Sequence, residues 1–378
     1  MNISNRWVAI FLILPHLNIY YFNLEHINIF VFLWKVVMVL VAFCLVFKRI
    51  TSLNLLIVFY MMLILFSAVI NENLTNGIAF TIVIFISFCI YISHALKEPK
   101  EFFRGMYYLF SVIVIFNFLT MLTNGITIDD NGFPVYLLGG KNAITMTVLP
   151  AIPIIFIYSY IMYKKLKIFP LIVILISITS IYLSASGTGI VVAILAALFL
   201  IVHKRYSPSL KAYLFIYFIL FFTIIVFRLQ ELLFGDFIIN VLHKDLTFTG
   251  RTYVWDLILN IIGDSYLIGF GRGNNIINQH FINLYEAHNG LLEILMYSGI
   301  LGIFFFVIIL ILVAKKLGGF KNHVISKFLS FSIFVYMIVG LTESVFYKNG
   351  FWMLIVISYG INNIINCIET EDNQLNNE

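Results

Sequence analysis

Arg251, Arg272, His288 and Glu293 fall in one stretch of the second half of the chain, and their types suit chemistry on an anion. A guanidinium stays charged and grips phosphate oxygens through paired hydrogen bonds. An imidazole transfers protons near neutral pH. Arg251 opens the segment TGRTYVWDLILNII, residues 249–262. Arg272 sits in Gly269-Phe270-Gly271-Arg272-Gly273, where glycines such as Gly271 and Gly273 let backbone N–H groups converge on an anion. His288 and Asn289 stand just before an apolar run, and Glu293 is about a turn and a half inside it. An ionisable residue inside a span is a functional candidate by default.

Plainer readings stand beside each of these. Arg251 equally suits an anchor to anionic lipid or a helix-end salt bridge. The glycine turn also reads as an ordinary loop, His288 as a boundary residue, and Glu293 as a partner for His288 or Arg272. A metal finds little support, because His26, His243, His280 and His288 show no His-x-x-x-His or Cys spacing. No Rossmann or P-loop signature is present. Counting leaves a Ser-His-Asp system open, although no Gly-x-Ser-x-Gly elbow occurs. The remaining pattern is a cofactor-free, metal-independent site of arginines and a histidine beside a membrane. It suits a lipid-linked diphosphate.

Composition says what must hold these residues. The chain is 62% hydrophobic and 11% charged, with a mean hydropathy of +1.02, which excludes a soluble domain. Apolar runs reach the roughly 17–25 residues needed to cross a bilayer, and each must be helical to satisfy its backbone. The sequence predicts an all-α polytopic membrane protein of about twelve transmembrane helices, with runs near 7–22, 27–47, 54–70, 77–96, 105–123, 144–163, 168–184, 187–202, 211–227, 291–314, 328–346 and 350–366. Cys44, Cys89 and Cys367 suggest no disulfide framework. The first run reads as a retained helix rather than a cleaved signal.

Basic residues set the orientation. Arg6, Lys48, Arg49, Lys97, Lys100, Arg104, Lys164, Lys165, Lys167, Lys204, Arg205, Lys211, Lys315, Lys316, Lys321 and Lys327 fall on alternate connections. The intervening connections carry only Lys141, Arg228, Lys244, Arg251, Arg272 and Lys348, and Lys35 lies inside a span. By the positive-inside rule both termini are cytoplasmic. The basic balance therefore reports topology, not nucleic-acid binding. Residues 1–227 read as a bundle of about nine spans, 228–290 as one large extracytoplasmic loop with interfacial helices, and 291–378 as about three spans with a short cytoplasmic tail. A second outer loop holds Asp129, Asp130 and Gly139-Gly140-Lys141-Asn142, and the acidic tail after Cys367, ending at Glu378, reads as disordered.

Gly250-Arg251 with Trp255, Gly269-Phe270-Gly271, and His288-Asn289 with Leu292, Gly299 and Gly302 together resemble the O-antigen polymerase/ligase superfamily of bacterial envelopes. Lys141 in Gly-Gly-Lys-Asn, and Glu343 in Gly340-Leu341-Thr342-Glu343-Ser344, resemble further positions of those proteins. The chain departs from their pattern at Ser184-Ala185-Ser186-Gly187-Thr188, where a basic residue often follows; either that charge is missing here, or Lys141 or Lys35 replaces it.

The resemblance implies glycosyl transfer at the outer face of a bacterial cytoplasmic membrane. The donor would be an undecaprenyl-diphosphate-linked oligosaccharide. Arg251, Arg272 and Lys141 would bind the diphosphate, and His288 would take the acceptor proton as a base or position that hydroxyl. Gly271, Gly273, Asn289, Glu293 and Glu343 would support them. A polymerase of repeat units, working among membrane lipids with a flippase and a chain-length regulator, is the leading expectation. A ligase with another acceptor is the alternative, and a lipid-oligosaccharide transporter stands as a different class.

Overall fold

The computed structural model describes residues 5–46, 50–129, 132–203, 207–236, 239–240 and 245–375. Lys48, Arg49, Asp130, Lys204, Arg205, His243, Lys244 and Glu378, which entered the reading of topology, loops and tail, lie outside them. The first half holds α1 (Asn5–Ile13), α2 (Glu25–Val46), α3 (Ser52–Ile70), α4 (Asn76–Ala95) and α5 (Pro99–Leu122). A two-residue hairpin of β1 (Thr127–Ile128) and β2 (Pro134–Val135) follows, then α6 (Lys141–Val148), α7 (Ala151–Tyr163), α8 (Ile168–Leu183), α9 (Gly187–Val202) and α10 (Leu210–Phe221). The polar stretch contains α11 (Gln230–Asp236), α12 (Arg251–Ile261) and α13 (Ile276–His280). The chain closes with α14 (Gly290–Gly318), α15 (Val324–Val339), α16 (Asn349–Tyr359) and α17 (Ile361–Leu375).

The protein is a polytopic, essentially all-α membrane protein. Among the described residues six helical stretches are long and apolar enough to cross a bilayer: α2, α3, α4, α5, the α6–α7 stretch and α14; counting the bent pair α16–α17 makes seven. Helix length and composition thus support six or seven spans rather than the twelve expected. The differences have local causes. Pro15 stands two residues beyond Ile13, so the first run yields a nine-residue helix and a 3-10 turn instead of a span. Runs 168–184 and 187–202 give α8 and α9 of 16 residues each, about 24 Å long against roughly 30 Å of hydrocarbon. The final run bends by 56° between α16 and α17, and the tail stays helical to Leu375.

The helix boundaries follow from their caps. Thr51, Thr75 and Ser209 accept N–H groups at the starts of α3, α4 and α10. Helix α2 turns Phe30, Leu33, Leu40 and Phe43 outward, the surface expected against lipid tails. Helices α7, α15 and α16 are buried along most of their length and make the centre. Around them α2 packs on α4, α3 on α14, and α5 on α7.

Two breaks position the polar stretch. In α14, Gly299 takes φ +61°, ψ −160°, and Phe270 N and Ile300 N bond across to Met296 O (2.7 Å) and Tyr266 O (2.8 Å). The 266–271 segment is thereby wedged into the kink of α14. Its other side lies on the α3–α4 turn, where Asn71 Nδ2 donates to Gly269 O (3.2 Å) and Asn73 Nδ2 to Phe270 O (2.7 Å). Gly271 sits at φ +79°, and a Cβ there would lie 2.7 Å from Ala68 Cα. The glycine is demanded by close approach between backbones. Gly271→Ala is expected to cost about 1–3 kcal/mol, read as earlier thermal unfolding of the purified protein.

The second break ends α15 at Val339. The expected 328–346 span therefore stops early, and Gly340–Lys348 forms a series of turns before α16. Glu343 lies in these turns rather than in a helix.

Candidate functional site

The site is assembled where these turns meet the residues preceding α14. Asn289 caps α14 by accepting Leu292 N (2.9 Å), and its Nδ2 donates to Leu341 O (2.9 Å). Gly290 N donates to Gly340 O (2.7 Å). These bonds tie His288, held at φ +48°, to the loop bearing Glu343.

Helix α12 brings the arginine. Gly250 turns the chain with φ +80°, and Arg251 is the first residue of the helix, where the helix dipole also favours an anion. Trp255 is buried, and its Nε1 donates to Ala287 O (3.1 Å), fastening α12 beside His288. Arg228 clamps the outer side of α12. It donates to Thr252 O (2.9 Å), pairs with Asp256, and stands 5.0 Å from the Trp255 ring centre.

Glu343 is the hub. Its Oε1 accepts from Arg251 Nη2 (2.7 Å) and from Asn142 Nδ2 (2.7 Å), and Oε2 faces His288 Nδ1 at 3.7 Å. The carboxylate is 7% exposed, against 20% for Arg251 and 25% for His288. Burial pushes the Glu343 carboxyl upward, but His288 and Arg251 together outweigh it and hold the group below its ordinary 4.5. Glu343 is therefore ionised at neutral pH. At 3.7 Å the His288 contact is electrostatic rather than a hydrogen bond. A carboxylate there favours the proton on Nδ1, which leaves Nε2 free to act as a base.

Asn142 is a participant that the choice of candidates passed over. It lies next to Lys141 and accepts from Ser186 Oγ (2.9 Å), while Thr188 Oγ1 and Thr342 Oγ1 are 2.6 Å apart. The Ser-Ala-Ser-Gly-Thr segment is thus joined to Glu343 through an amide. Its place in the Gly139-Gly140-Lys141-Asn142 segment was the signal in the sequence.

Glu293 does not touch His288 or Arg272 by a direct bond. Its Oε2 accepts from Ala287 N (2.6 Å) and Ser344 Oγ (3.1 Å), so it spans the residues flanking His288 and Glu343. Glu293→Ala leaves two buried donors unmatched and is expected to cost about 1–3 kcal/mol for each, with loss of activity. Glu293→Gln keeps an acceptor oxygen and should restore both stability and turnover. Failure of Gln to rescue would assign the role to charge instead of position.

Two cavities open on this hub. One, of about 750 Å³, is lined by Lys141, Ser186, Arg251 and His288, with Leu195, Leu220 and Ile224 on its apolar wall. The other, of about 880 Å³, is lined by His16, Lys35, Arg272, Glu286, Tyr347 and Lys348. Asn142 and Glu343 line both. The structure therefore groups Arg251, His288 and Lys141, and places Arg272 on the opposite side of Glu343. Gly271 packs against the end of α3, and Gly273 against the α3–α4 turn and the start of α4, where a Cβ would lie 2.6 Å from Ile78 Cδ1. Of the two lysines that could replace the basic residue absent after Ser186, Lys141 shares its cavity and Lys35 does not.

Residues 171–307 match the family described as O-antigen ligase, which supports membership of the chain in the O-antigen polymerase/ligase superfamily. The matched segment runs from α8 into α14. It includes Arg251, Arg272, His288 and Glu293, and leaves out Lys141, Asn142 and Glu343. No curated protein and no solved structure matches the chain.

Proposed function

We propose that this protein transfers a glycan from a polyprenyl diphosphate carrier to an acceptor hydroxyl at the extracytoplasmic membrane face. The observation that carries the reading is one buried carboxylate, that of Glu343, in contact with both Arg251 and His288 at the edge of a cavity with an apolar wall. The lipid chain would lie along Leu195, Leu220 and Ile224, with the diphosphate near Arg251 and Lys141.

In the reaction His288 Nε2 takes the acceptor proton as the acceptor oxygen bonds to the anomeric carbon. The bond from that carbon to the diphosphate oxygen breaks, and the electron pair leaves with the diphosphate. Arg251, with Lys141 in support, stabilises the growing charge. Glu343 holds Arg251 and orients His288, and the positive charge gained by His288 is formed beside that carboxylate.

The family description favours transfer to a distinct acceptor, the ligase reading. Polymerisation of the lipid-linked units themselves is the second reading, because the same site serves any acceptor hydroxyl. Purified protein in liposomes with lipid-linked oligosaccharide separates them. A ladder of longer lipid-linked glycans without another acceptor supports polymerisation; product only after adding a glycolipid acceptor supports ligation. Donor left intact in both arms, with translocation across the bilayer, would point to a transporter and overturn the proposal.

A further inference from the structure

The 880 Å³ cavity on the far side of Glu343 has its own cationic chemistry. Lys35 lies midway along α2 and opens into it. Among the described residues neither Lys35 nor Arg272 forms a hydrogen bond or ion pair that would neutralise it. The other charged groups lining the cavity are committed: Lys348 Nζ pairs with Glu286 at 3.2 Å, and Glu343 is held by Arg251 and Asn142. An unmatched lysine within a spanning helix is costly, which is the ordinary mark of a functional position.

A second observation lies at the same place. His16 is only 7% exposed, and both its ring nitrogens are without a hydrogen-bond partner. Its ring stands against Phe88 at 5.0 Å between centroids, and its carbonyl accepts from Asn349 Nδ2 (3.1 Å). The side chain is therefore fixed at the cavity wall with polar atoms unused. Buried polar atoms are nearly always paired, so a pair of free nitrogens beside an unneutralised lysine marks a place for a ligand. Asn18, Asn23, Asn28 and Asn76 add neutral amides of the kind that bond sugar hydroxyls.

The geometry points to this cavity as the acceptor site, selective for a glycan carrying an anionic group that pairs with Lys35 and bonds to His16. The assignment rests on the transferase reading, because the acceptor hydroxyl must reach His288 past the Asn142–Glu343 pair that both cavities share. The anion is either the carboxylate of an acidic sugar or a phosphate on the acceptor. Phe32, Phe80 and Phe85 on the same wall accommodate an attached lipid chain.

Binding tests this apart from turnover. The full-length protein in nanodiscs is titrated with dodecyl β-D-glucuronide, dodecyl phosphate and neutral dodecyl β-D-glucoside. The wild type should bind at least one anionic probe about tenfold more tightly than the glucoside. Preference for glucuronide identifies the carboxylate source, and preference for phosphate the other. Lys35→Gln should erase the preference, and Lys35→Arg should keep most of it. Equal binding of charged and neutral probes by the wild type, or a preference that survives Lys35→Gln, would overturn the assignment. Because no turnover is required, that failure is distinguishable from failure of the transferase reading, which would leave probe binding unaffected and donor unconsumed.

Discussion

His288→Asn should lower glycan transfer by about 10²–10⁴-fold, the range for losing a positioned general base. Asn tolerates the left-handed backbone that His288 adopts at φ +48°. The fold should therefore survive, with an unchanged elution profile and melting temperature. Asn keeps polarity near Glu343 but offers no imidazole nitrogen to take the acceptor proton. A variant that turns over normally would remove His288 from the chemistry. A variant that loses activity only because it unfolds would make the residue a link between α14 and the Glu343 loop.

Arg251→Ala should cost roughly 10²–10³-fold in turnover, the magnitude for removing one donor from a developing oxyanion. Glu343 is 7% exposed and would lose its 2.7 Å partner, and an unpaired buried carboxylate destabilises. The double variant Arg251→Ala, Glu343→Gln removes that charge and should recover stability without recovering turnover. Arg251→Lys should rescue only in part, because an ammonium cannot bridge the Glu343 carboxylate and a phosphate with a planar fork. Full rescue by Lys would reduce the role of Arg251 to a point charge attracted to lipid.

The helical, membrane-spanning character was legible because composition and run length state it directly. Span number was less so. Hydropathy reads 7–22 as one apolar run, and only Pro15 hints that the helix stops at Ile13. It likewise reads 328–346 as continuous, while Gly340 and the polar residues after it let the chain leave the helix at Val339. That early stop matters most, because it turns Glu343 from an acid near the end of a span into a loop residue able to meet Arg251.

The site shows the same division. Residue types singled out Arg251 and His288, since guanidinium and imidazole advertise their chemistry. Their shared partner lies 92 positions from Arg251 in the chain, and no local pattern encodes such a contact. Arg272 looked like a second ligand of the same anion because of its loop. The wedge of residues 266–271 between α3 and the Gly299 kink instead carries it to the other cavity. Neutral Asn142 stood out only as the last residue of the Gly139-Gly140-Lys141-Asn142 segment, although it connects Glu343 to Ser186.

The most direct test of the central claim follows the donor diphosphate. Purified protein in liposomes is given a polyprenyl-diphosphate-linked oligosaccharide and an acceptor glycolipid, and phosphorus NMR and mass spectrometry track both products. Free polyprenyl diphosphate should appear in step with glycosylated acceptor in the wild type, and both should be lost together in His288→Asn. Equal release of diphosphate and product by His288→Asn would contradict the account.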